Sequence, residues 1–406
     1  MVGIKAFSGF TFQNYDLQKV IVPPYDIIDS ELKNKLMRES EFSFVNLILN
    51  TPDESARLLK KWIQEGVLKK DSSDAIYIYQ QEYLLDNKIV KRTGFICLLK
   101  VEEFGKNVLP HEKTFQKHID NRYELTVKTN ANLGQIFMVY EDKKKEIDSI
   151  IIPLTNSKEE MLFIDADNCK HKIWRITNAE TIQKIVNLMK TKQVLIADGH
   201  HRYSAAIKFS KENSSIKNSD FTMFTLVNSL DDGLVILPTN RILNNKVIDL
   251  DLFSNYFNIT EVNSFDDLFE KLFEKKACFG VGVNNKKFFL ELKNKEILNE
   301  LFSTTDECYK LIDAAILHKL IFEKILGLSV DEQAAPNIEF VKGNEATIKS
   351  LNENNTGFFV RPPTMQETRL VALADKVMPQ KSTYFFPKMY SGFVINKFEE
   401  GGVNND

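Results

Sequence analysis

The chain has 406 residues, of which 43% are hydrophobic and 27% charged, and its formal net charge is −3. This composition is typical of a globular protein, and at about 150 residues per domain the length predicts two or three domains. The near-neutral charge argues against a nucleic-acid partner, and no apolar run reaches the ~18 residues of a membrane span. Four scattered cysteines and an N-terminus without a signal-peptide pattern predict a reduced, cytoplasmic protein.

The first part of the sequence predicts strands and helices separated by short polar turns. Alternating apolar residues indicate strands, whereas a spacing of three to four residues indicates helices. In chain order we expect a strand at Val20–Val22 that ends at two prolines, helices at Glu31–Glu39 and Ser55–Glu65, a hairpin of Ala75–Leu84 and Lys88–Val101 turning around Asp86-Asn87-Lys88, a helix at Asn121–Thr129, strands at Gln135–Tyr140 and Lys172–Ile176, and a helix at Asn178–Lys190.

The second part continues this alternation, and the pattern changes beyond Pro238. We expect a strand at Val194–Ala197, a turn at Asp198–His201, a helix at Arg202–Glu212, a strand at Phe221–Val227, a helix at Phe265–Glu274, a hairpin within Cys278–Leu292, a long helix at Glu307–Gly327, and strands at Ile338–Val341 and Gly357–Val360. Together these elements predict a mixed α/β (α+β) fold. We place a core domain at residues 1–240 and an α+β domain, contributing to the same site, at 241–406.

The segment VLIADGHHRYSAA (Val194–Ala206) carries the strongest chemical signal. A helix that begins directly after a strand and a tight turn at Gly199 presents unpaired N–H groups and a partial positive charge, which favour an anion. Arg202 can grip a phosphate with two parallel hydrogen bonds, and His200 and His201 can donate to phosphate oxygens. Asp198 can hold Mg²⁺ or orient a hydroxyl group. The alternative is that Asp198 only caps the helix and the histidines pack locally.

The loop PHEKT offers a candidate acid–base group. Glu112 can act as a general base for a substrate hydroxyl if its surroundings are partly desolvated, and His111 precedes it. The pair lacks the second histidine of an H-E-x-x-H zinc helix, because the next histidine, His118, comes too late in the sequence. A zinc protease is therefore a poor interpretation, and an exposed charged loop is the alternative.

Three further segments carry weaker signals. In MPQKSTYFFPK, the residues Lys381, Ser382 and Thr383 can contact a phosphate, although the glycines of a P-loop are missing and a solvated edge strand is the alternative. Tyr25 and Asp26 follow two prolines and are candidates for the wall of a substrate pocket, and so is Arg361, a basic residue in a strand-end loop. For each of these segments alone, a plain structural turn is the favoured interpretation. The sparse pair Cys169-x-His171 favours a structural role over a metal site.

Five segments together resemble the domain-of-unknown-function 1015 family of bacterial and archaeal proteins. They are, in chain order, VPPYDII, LPHEKTF with the following DNRYEL, ADGHHRYSAA, LVILPTNR and MPQKSTYFFPKMYSGF, and they span residues 22–393. The pieces HHRY and PQKSTYF are the most specific. One departure is Asn240, where the PT-x-R loop of relatives is expected to carry histidine, and this leaves the role of that position open.

The corner at Asp198–Arg202 also resembles the D-G-H-H-R loop of the ParB/sulfiredoxin-like superfamily, which includes free-serine kinases. This resemblance implies a nucleotide-binding core of that type with a C-terminal α+β extension. It further implies that the corner binds the phosphates of ATP or ADP together with Mg²⁺, and that Glu112 and His111 join Asp198 as catalytic residues. Relatives tend to be associated with serine biosynthesis genes, which agrees with serine as the substrate.

The leading hypothesis is thus a small-molecule kinase that phosphorylates free serine or a similar hydroxy metabolite with ATP or ADP. A phosphate-ester hydrolase uses nearly the same residues, because water can replace the hydroxyl acceptor. A regulator that binds a nucleotide or metabolite without turnover is a third possibility. A ParB-like DNA clamp is disfavoured, since the sequence has no basic cluster. The expected partners are a small-molecule substrate and a nucleotide, with a homodimer as a further expectation.

Overall fold

The computed structural model describes residues 2–85, 87–333 and 335–399, so Asp86 of the expected hairpin turn lies outside the described residues. The chain forms two compact units. The first consists of Met1–Pro110, Thr114–Val235 and Pro387–Asp406, and the second of His111–Lys113 and Ile236–Phe386. The domain boundary at residue 240 stays a prediction, since compactness alone does not establish that the two units fold independently.

The first unit is built on a large mixed sheet. The strands of this unit, most of which belong to that sheet, are β1 (Ile4–Lys5), β2 (Phe10–Phe12), β3 (Leu68–Lys70), β4 (Ile76–Leu85), β5 (Lys88–Lys100), β6 (Val108–Leu109), β7 (Ala131–Asn132), β8 (Ile136–Tyr140), β9 (Met161–Ile164), β10 (Lys170–Ile176), β11 (Val194–Asp198) and β12 (Phe221–Asn228). The sheet order is β6-β11-β8-β12-β5-β4-β10-β9, with β1 beside β5. The pairs β6/β11 and β8/β12 are parallel, and the other pairs are antiparallel.

The core of the first unit lies against this sheet. Five neighbouring strands each contribute a fully buried side chain, namely Ile78, Phe95, Met138, Ile196 and Leu226. Every residue of β8 is buried, which explains why its sequence, IFMVY, is a continuous apolar run with little alternation. The predicted hairpin is confirmed as β4 and β5, and the predicted strand at Gln135–Tyr140 is confirmed as β8.

Side chains cap four of the described helices of the first unit, through Asp16, Asp29, Thr51 and Asn178. The helices of this unit are α1 (Leu17–Val20), α2 (Ser30–Glu39), α3 (Val45–Ile48), α4 (Pro52–Gln64), α5 (Gln116–Thr129), α6 (Glu146–Leu154), α7 (Ala179–Met189) and α8 (His200–Glu212), with a 3₁₀ turn at Tyr25–Ile27. The strand predicted at Val20–Val22 is wrong. The Asp16 side chain caps α1 by accepting from the backbone N–H of Gln18, so Val20 is helical, and Val22 forms only an isolated bridge to Ser391.

The second unit contains an antiparallel sheet of its own. Its strands are β13 (Val235–Leu237), β14 (Thr239–Leu243), β15 (Phe257–Glu261), β16 (Cys278–Val283), β17 (Lys286–Leu292), β18 (Ile338–Lys342), β19 (Thr356–Phe359) and β20 (Tyr384–Phe386). Six of them form a sheet in the order β15-β17-β16-β19-β14-β18, and β13 pairs with β20. The strand β21 (Asn396–Lys397) returns to the first unit and pairs with β7.

One prediction in the second unit is wrong. Its helices are α9 (Phe265–Glu274), α10 (Ile297–Leu301), α11 (Asp313–Ile316), α12 (Asn344–Ser350) and α13 (Met365–Leu373), with 3₁₀ segments at Leu250–Phe253 and Thr304–Leu311 and a π-helix at Leu317–Ile325. The predicted single helix at Glu307–Gly327 is therefore broken. Ile312 is extended, and the buried Asp313 carboxylate accepts from the backbone N–H of Ala277, so tertiary contacts outweigh the helical pattern.

The two units together confirm the mixed α/β (α+β) fold class. Both units contain β-sheets and helices. The core of the second unit includes Phe279, Leu290 and Phe358 from its sheet, and these side chains pack with Leu317 and Ile321 of the π-helix. Within the described part of the chain, the helices all lack the length and apolar character needed to cross a membrane.

Candidate functional site

The corner between β11 and α8 has the geometry of an anion site. Strand β11 ends at Asp198 after a bulge opposite β8, and Gly199 adopts φ +100° and ψ 30° before the helix begins at His200. The helix starts two residues earlier than predicted, so both histidines belong to its first turn. No side chain hydrogen-bonds to this end of α8 from its N-cap position, and the helix directs the positive end of its dipole toward the corner.

Asp198 is held in an ion pair that the sequence analysis did not anticipate. Its Oδ2 lies 2.7 Å from Nζ of Lys388, and the two side chains are only 20% and 12% exposed. Burial alone would raise the pKa of Asp198, but the charges of Lys388 and Arg202 outweigh it and hold this pKa well below its usual range. The carboxylate is therefore ionised and already oriented at neutral pH.

Arg202 reaches back over the turn that precedes it. Its guanidinium lies so close to Gly199 that a Cβ atom at that position would be 2.9 Å from Nη2. One terminal nitrogen donates to the carbonyl of Gln135, whereas Nε is buried and has no hydrogen-bond partner in the described structure. A buried charged donor without an acceptor is costly, so this N–H is a candidate donor to a ligand.

Gly199→Ala tests how tightly this turn is constrained. The substituted residue must keep a positive φ, and its methyl group meets the guanidinium of Arg202. We expect a loss of about 1–2 kcal/mol in the free energy of unfolding, measured by chemical denaturation. Gly105→Ala is the matched control, because Gly105 has φ +99° but a Cβ there meets nothing within 4 Å. Equal losses in the two variants would show that Arg202 does not restrict the turn.

A second arginine lies next to Arg202 and was missed as a site residue. The Cζ atoms of Arg122 and Arg202 are 4.2 and 6.0 Å from the ring centre of Tyr25, which lies between them. Burial and the neighbouring Arg202 lower the pKa of Arg122, and burial raises the pKa of Tyr25. These three side chains line a cavity of about 60 Å³ with Gly134 and Ser391. Arg122 belongs to the DNRYEL segment, which was its only sequence signal.

The remaining predicted residues of the first unit lie around the same corner. His200 is buried, whereas His201 is half-buried and accepts the backbone N–H of Phe115 at Nε2, 3.0 Å away. The accepting nitrogen carries no proton, so only Nδ1 of a neutral His201 can donate to a phosphate. Asp26 is exposed in the 3₁₀ turn that also contains Tyr25.

A different group of predicted residues meets in the second unit. Nε2 of His111 is hydrogen-bonded to Oγ1 of Thr383 at 2.9 Å, so the structure joins the PHEKT loop to the PQKST segment. Ser382 is buried and donates to the carbonyl of Pro379, while Lys381 is exposed and Glu112 half-buried. These residues belong to one unit, and their catalytic and phosphate-binding roles stay predictions.

Arg361 is engaged by two carboxylates inside the second unit. Its Nε lies 3.0 Å from Asp313, and Nη1 and Nη2 each lie 3.1 Å from an oxygen of Glu367. All three side chains are buried. The charge of Arg361 is therefore compensated within the protein, which indicates a structural role instead of the predicted contact with substrate.

The described residues contain one compact group of potential metal ligands, formed by Asp165, Cys169 and His171. Their polar atoms already bind each other, because Asp165 accepts from Nε2 of His171 and from the backbone N–H of Cys169, and the Tyr79 hydroxyl lies 2.6 Å from Nδ1 of His171. The group is thus internally satisfied, as expected of a structural cluster. Asp198 is not part of it, although a single carboxylate with nucleotide phosphates is a usual donor set for Mg²⁺.

Comparisons with solved structures give similarities of low identity. A free serine kinase variant in complex with ADP shares 13% identity at a TM-score of 0.34, covering 69% of this chain and 84% of that chain. A C-terminally truncated SbnI from Staphylococcus aureus shares 9% sequence identity at a TM-score of 0.35, covering 76% of this chain and 83% of that chain. A conserved hypothetical protein from Pyrococcus furiosus shares 14% sequence identity at a TM-score of 0.33, covering 71% of this chain and 92% of that chain. These TM-scores are too low for the likeness to carry a conclusion about fold or activity.

The sequence itself gives a firmer assignment. A search among curated proteins found no match to this chain. The model of one family, whose description is protein of unknown function DUF1015, matches residues 4–315, which is well over half of the sequence. The chain therefore belongs to the DUF1015 family.

Proposed function

We propose that the chain is a phosphotransferase that binds the phosphates of ATP or ADP at the β11–α8 corner and phosphorylates a small hydroxy metabolite, with free serine as the expected acceptor. One observation carries the proposal. The Asp198–Lys388 pair and the unpartnered Nε of Arg202 meet at the uncapped start of α8. Cationic groups, the positive end of a helix dipole and one ionised carboxylate are what a Mg²⁺-nucleotide needs from its site.

The geometry divides the work among these groups. Arg202 binds phosphate oxygens, the positive end of the α8 dipole attracts them, and Lys388 adds a positive charge at the same place. Asp198 would hold Mg²⁺ through the oxygen that does not face Lys388, and the ion would neutralise phosphate charge. In the transfer, the bond from the terminal phosphorus to its bridging oxygen breaks as the acceptor hydroxyl forms a new P–O bond and releases its proton. Glu112 and His111, the bases that the sequence suggests for this proton, belong to the second unit, and their role stays a prediction.

Phosphorus NMR tests this proposal. The chain is incubated with Mg²⁺, ATP or ADP, and a pool of hydroxy metabolites that includes serine, and we expect a phosphomonoester signal to grow as the donor signal falls. Lys388→Met should reduce this rate at least tenfold, because a charge at the phosphate site is lost. Lys184→Met, at an exposed helical position, is the control and should leave it unchanged.

Two results would contradict the proposal. Release of inorganic phosphate without a phosphomonoester would favour the phosphate-ester hydrolase. A nucleotide-induced rise in melting temperature without turnover of any acceptor would favour the binding regulator.

A further inference from the structure

The second unit contains a cavity that the proposed function does not use. Its volume is about 340 Å³, which falls within the usual range for pockets that bind small molecules. Aromatic side chains form much of its wall, and polar side chains lie among them. The residues used below are Phe302, Tyr309, His318, Gln333, Phe340 and Gln380.

A buried arginine lies directly behind this wall. Arg241 on β14 is 0% exposed, and its Nε donates to Nε2 of His318 at 3.3 Å. Its terminal nitrogens donate to the backbone carbonyls of Thr239 and Gln380, the latter at a long 3.4 Å. Across residues 236–333 and 335–386, no carboxylate lies within ion-pair distance of this guanidinium. Burial lowers the pKa of Arg241 to about 9, so it still carries a positive charge at neutral pH.

The ring of Phe340 lies 5.3 Å from Cζ of Arg241, but none of the neighbouring groups described below brings a compensating negative charge. Nε2 of His318 accepts from Arg241, so its proton sits on Nδ1 and is donated to Oε1 of Gln333 at 2.7 Å. Burial and the charge of Arg241 lower the pKa of His318 to about 3, and the ring is therefore neutral. Lys319 and Glu323 also line the cavity. They form an ion pair at 2.7 Å, so their opposite charges cancel.

We propose that this cavity binds a small organic anion. Its apolar body packs among the rings of Phe302, Tyr309 and Phe340, and its carboxylate or phosphate group lies at the wall formed by His318 and Gln380, where it compensates the charge of Arg241. A buried charge without a counter-charge is costly, and an anion at the cavity wall in front of Arg241 gains favourable Coulomb energy on binding.

The sequence segments involved support a role beyond packing. Arg241 comes from LVILPTNR and Gln380 from MPQKSTYFFPKMYSGF, and the nucleotide site uses Lys388 of the second segment but neither Arg241 nor Gln380. The structure brings them together at one cavity, although 139 residues separate them. The inference does not use the β11–α8 corner, whose residues belong to the first unit.

Saturation-transfer NMR on the full chain tests the proposal with benzoate, phenyl phosphate and the neutral analogue benzamide as probes. We expect saturation transfer to at least one of the two anions and none to benzamide at the same concentration. Preference for benzoate identifies the physiological ligand as a carboxylate, and preference for phenyl phosphate identifies it as a phosphate ester. Arg202→Met must keep this binding, because it changes only the nucleotide corner. No transfer to either anion, equal transfer to benzamide, or loss in Arg202→Met would overturn the proposal.

Two charge variants at the cavity rim keep the test decisive if Arg241→Met does not fold. Val330 lines the cavity and is 73% exposed, so substitutions there should leave the fold intact. Val330→Asp should weaken anion binding by about threefold to tenfold through charge repulsion, and Val330→Lys should leave it unchanged or strengthen it. Equal affinities in these two variants would contradict an anionic ligand.

Discussion

Replacing Arg202 by methionine is expected to weaken ADP binding by about 10- to 100-fold, since a hydrogen bond to a charged group is worth about 1.5–3 kcal/mol. Methionine keeps an unbranched apolar stem but removes the guanidinium and its unpartnered Nε. The helix start and Lys388 remain, so residual binding should persist. Isothermal titration calorimetry with ADP and Mg²⁺ measures the change.

Two further variants identify which property of Arg202 matters. Arg202→Lys keeps the charge but loses the planar fork, and we expect an intermediate affinity. Arg38→Met makes the same chemical change on the exposed face of α2 and should leave the affinity unaltered. If Arg202→Met bound ADP as tightly as the unmodified chain, the β11–α8 corner would not be a phosphate site.

The sequence alone predicted the β11–α8 corner because the strand, the turn and the helix start that form its backbone are local in the chain. An apolar strand, a glycine and a basic helix start follow one another within Val194–Arg202. Lys388 could not be predicted this way, because 190 residues separate it from Asp198 and only the return of the last segment to the first unit joins them. Arg122 was missed for the same reason, since its contact with Tyr25 depends on tertiary packing.

The fold shows the same division between local and tertiary causes. Strands such as β8 and helices such as α7 were predicted nearly to the residue, because a long apolar pattern dominates them. The long helix expected at Glu307–Gly327 failed where Asp313 is drawn into a buried ion pair. The ion pairs of Arg361 could not be predicted for the same reason, as a basic residue in a loop gives no sign of the two carboxylates that surround it.

Replacing Arg361 by methionine is expected to lower the free energy of unfolding of the second unit by about 3–5 kcal/mol, because it leaves buried carboxylates without their partner. Burial already raises the pKa of Asp313 to about 6, although Arg361 opposes that rise. Without Arg361 the pKa should rise further above its unfolded value. At pH values above the pKa of Asp313 in the unfolded chain, this raised pKa lowers the free energy of unfolding of the variant. The loss of stability should therefore be smaller at pH 5 than at pH 8.

Urea denaturation followed by far-UV circular dichroism measures this loss, since both tryptophans, Trp62 and Trp174, belong to the first unit and do not report on the second. Lys184→Met breaks an exposed helical ion pair and should cost no more than about 0.5 kcal/mol. The structural role predicts that Arg361→Met changes stability far more than the KM for the acceptor. A variant of unchanged stability and raised KM would instead support the contact with substrate that the sequence suggested.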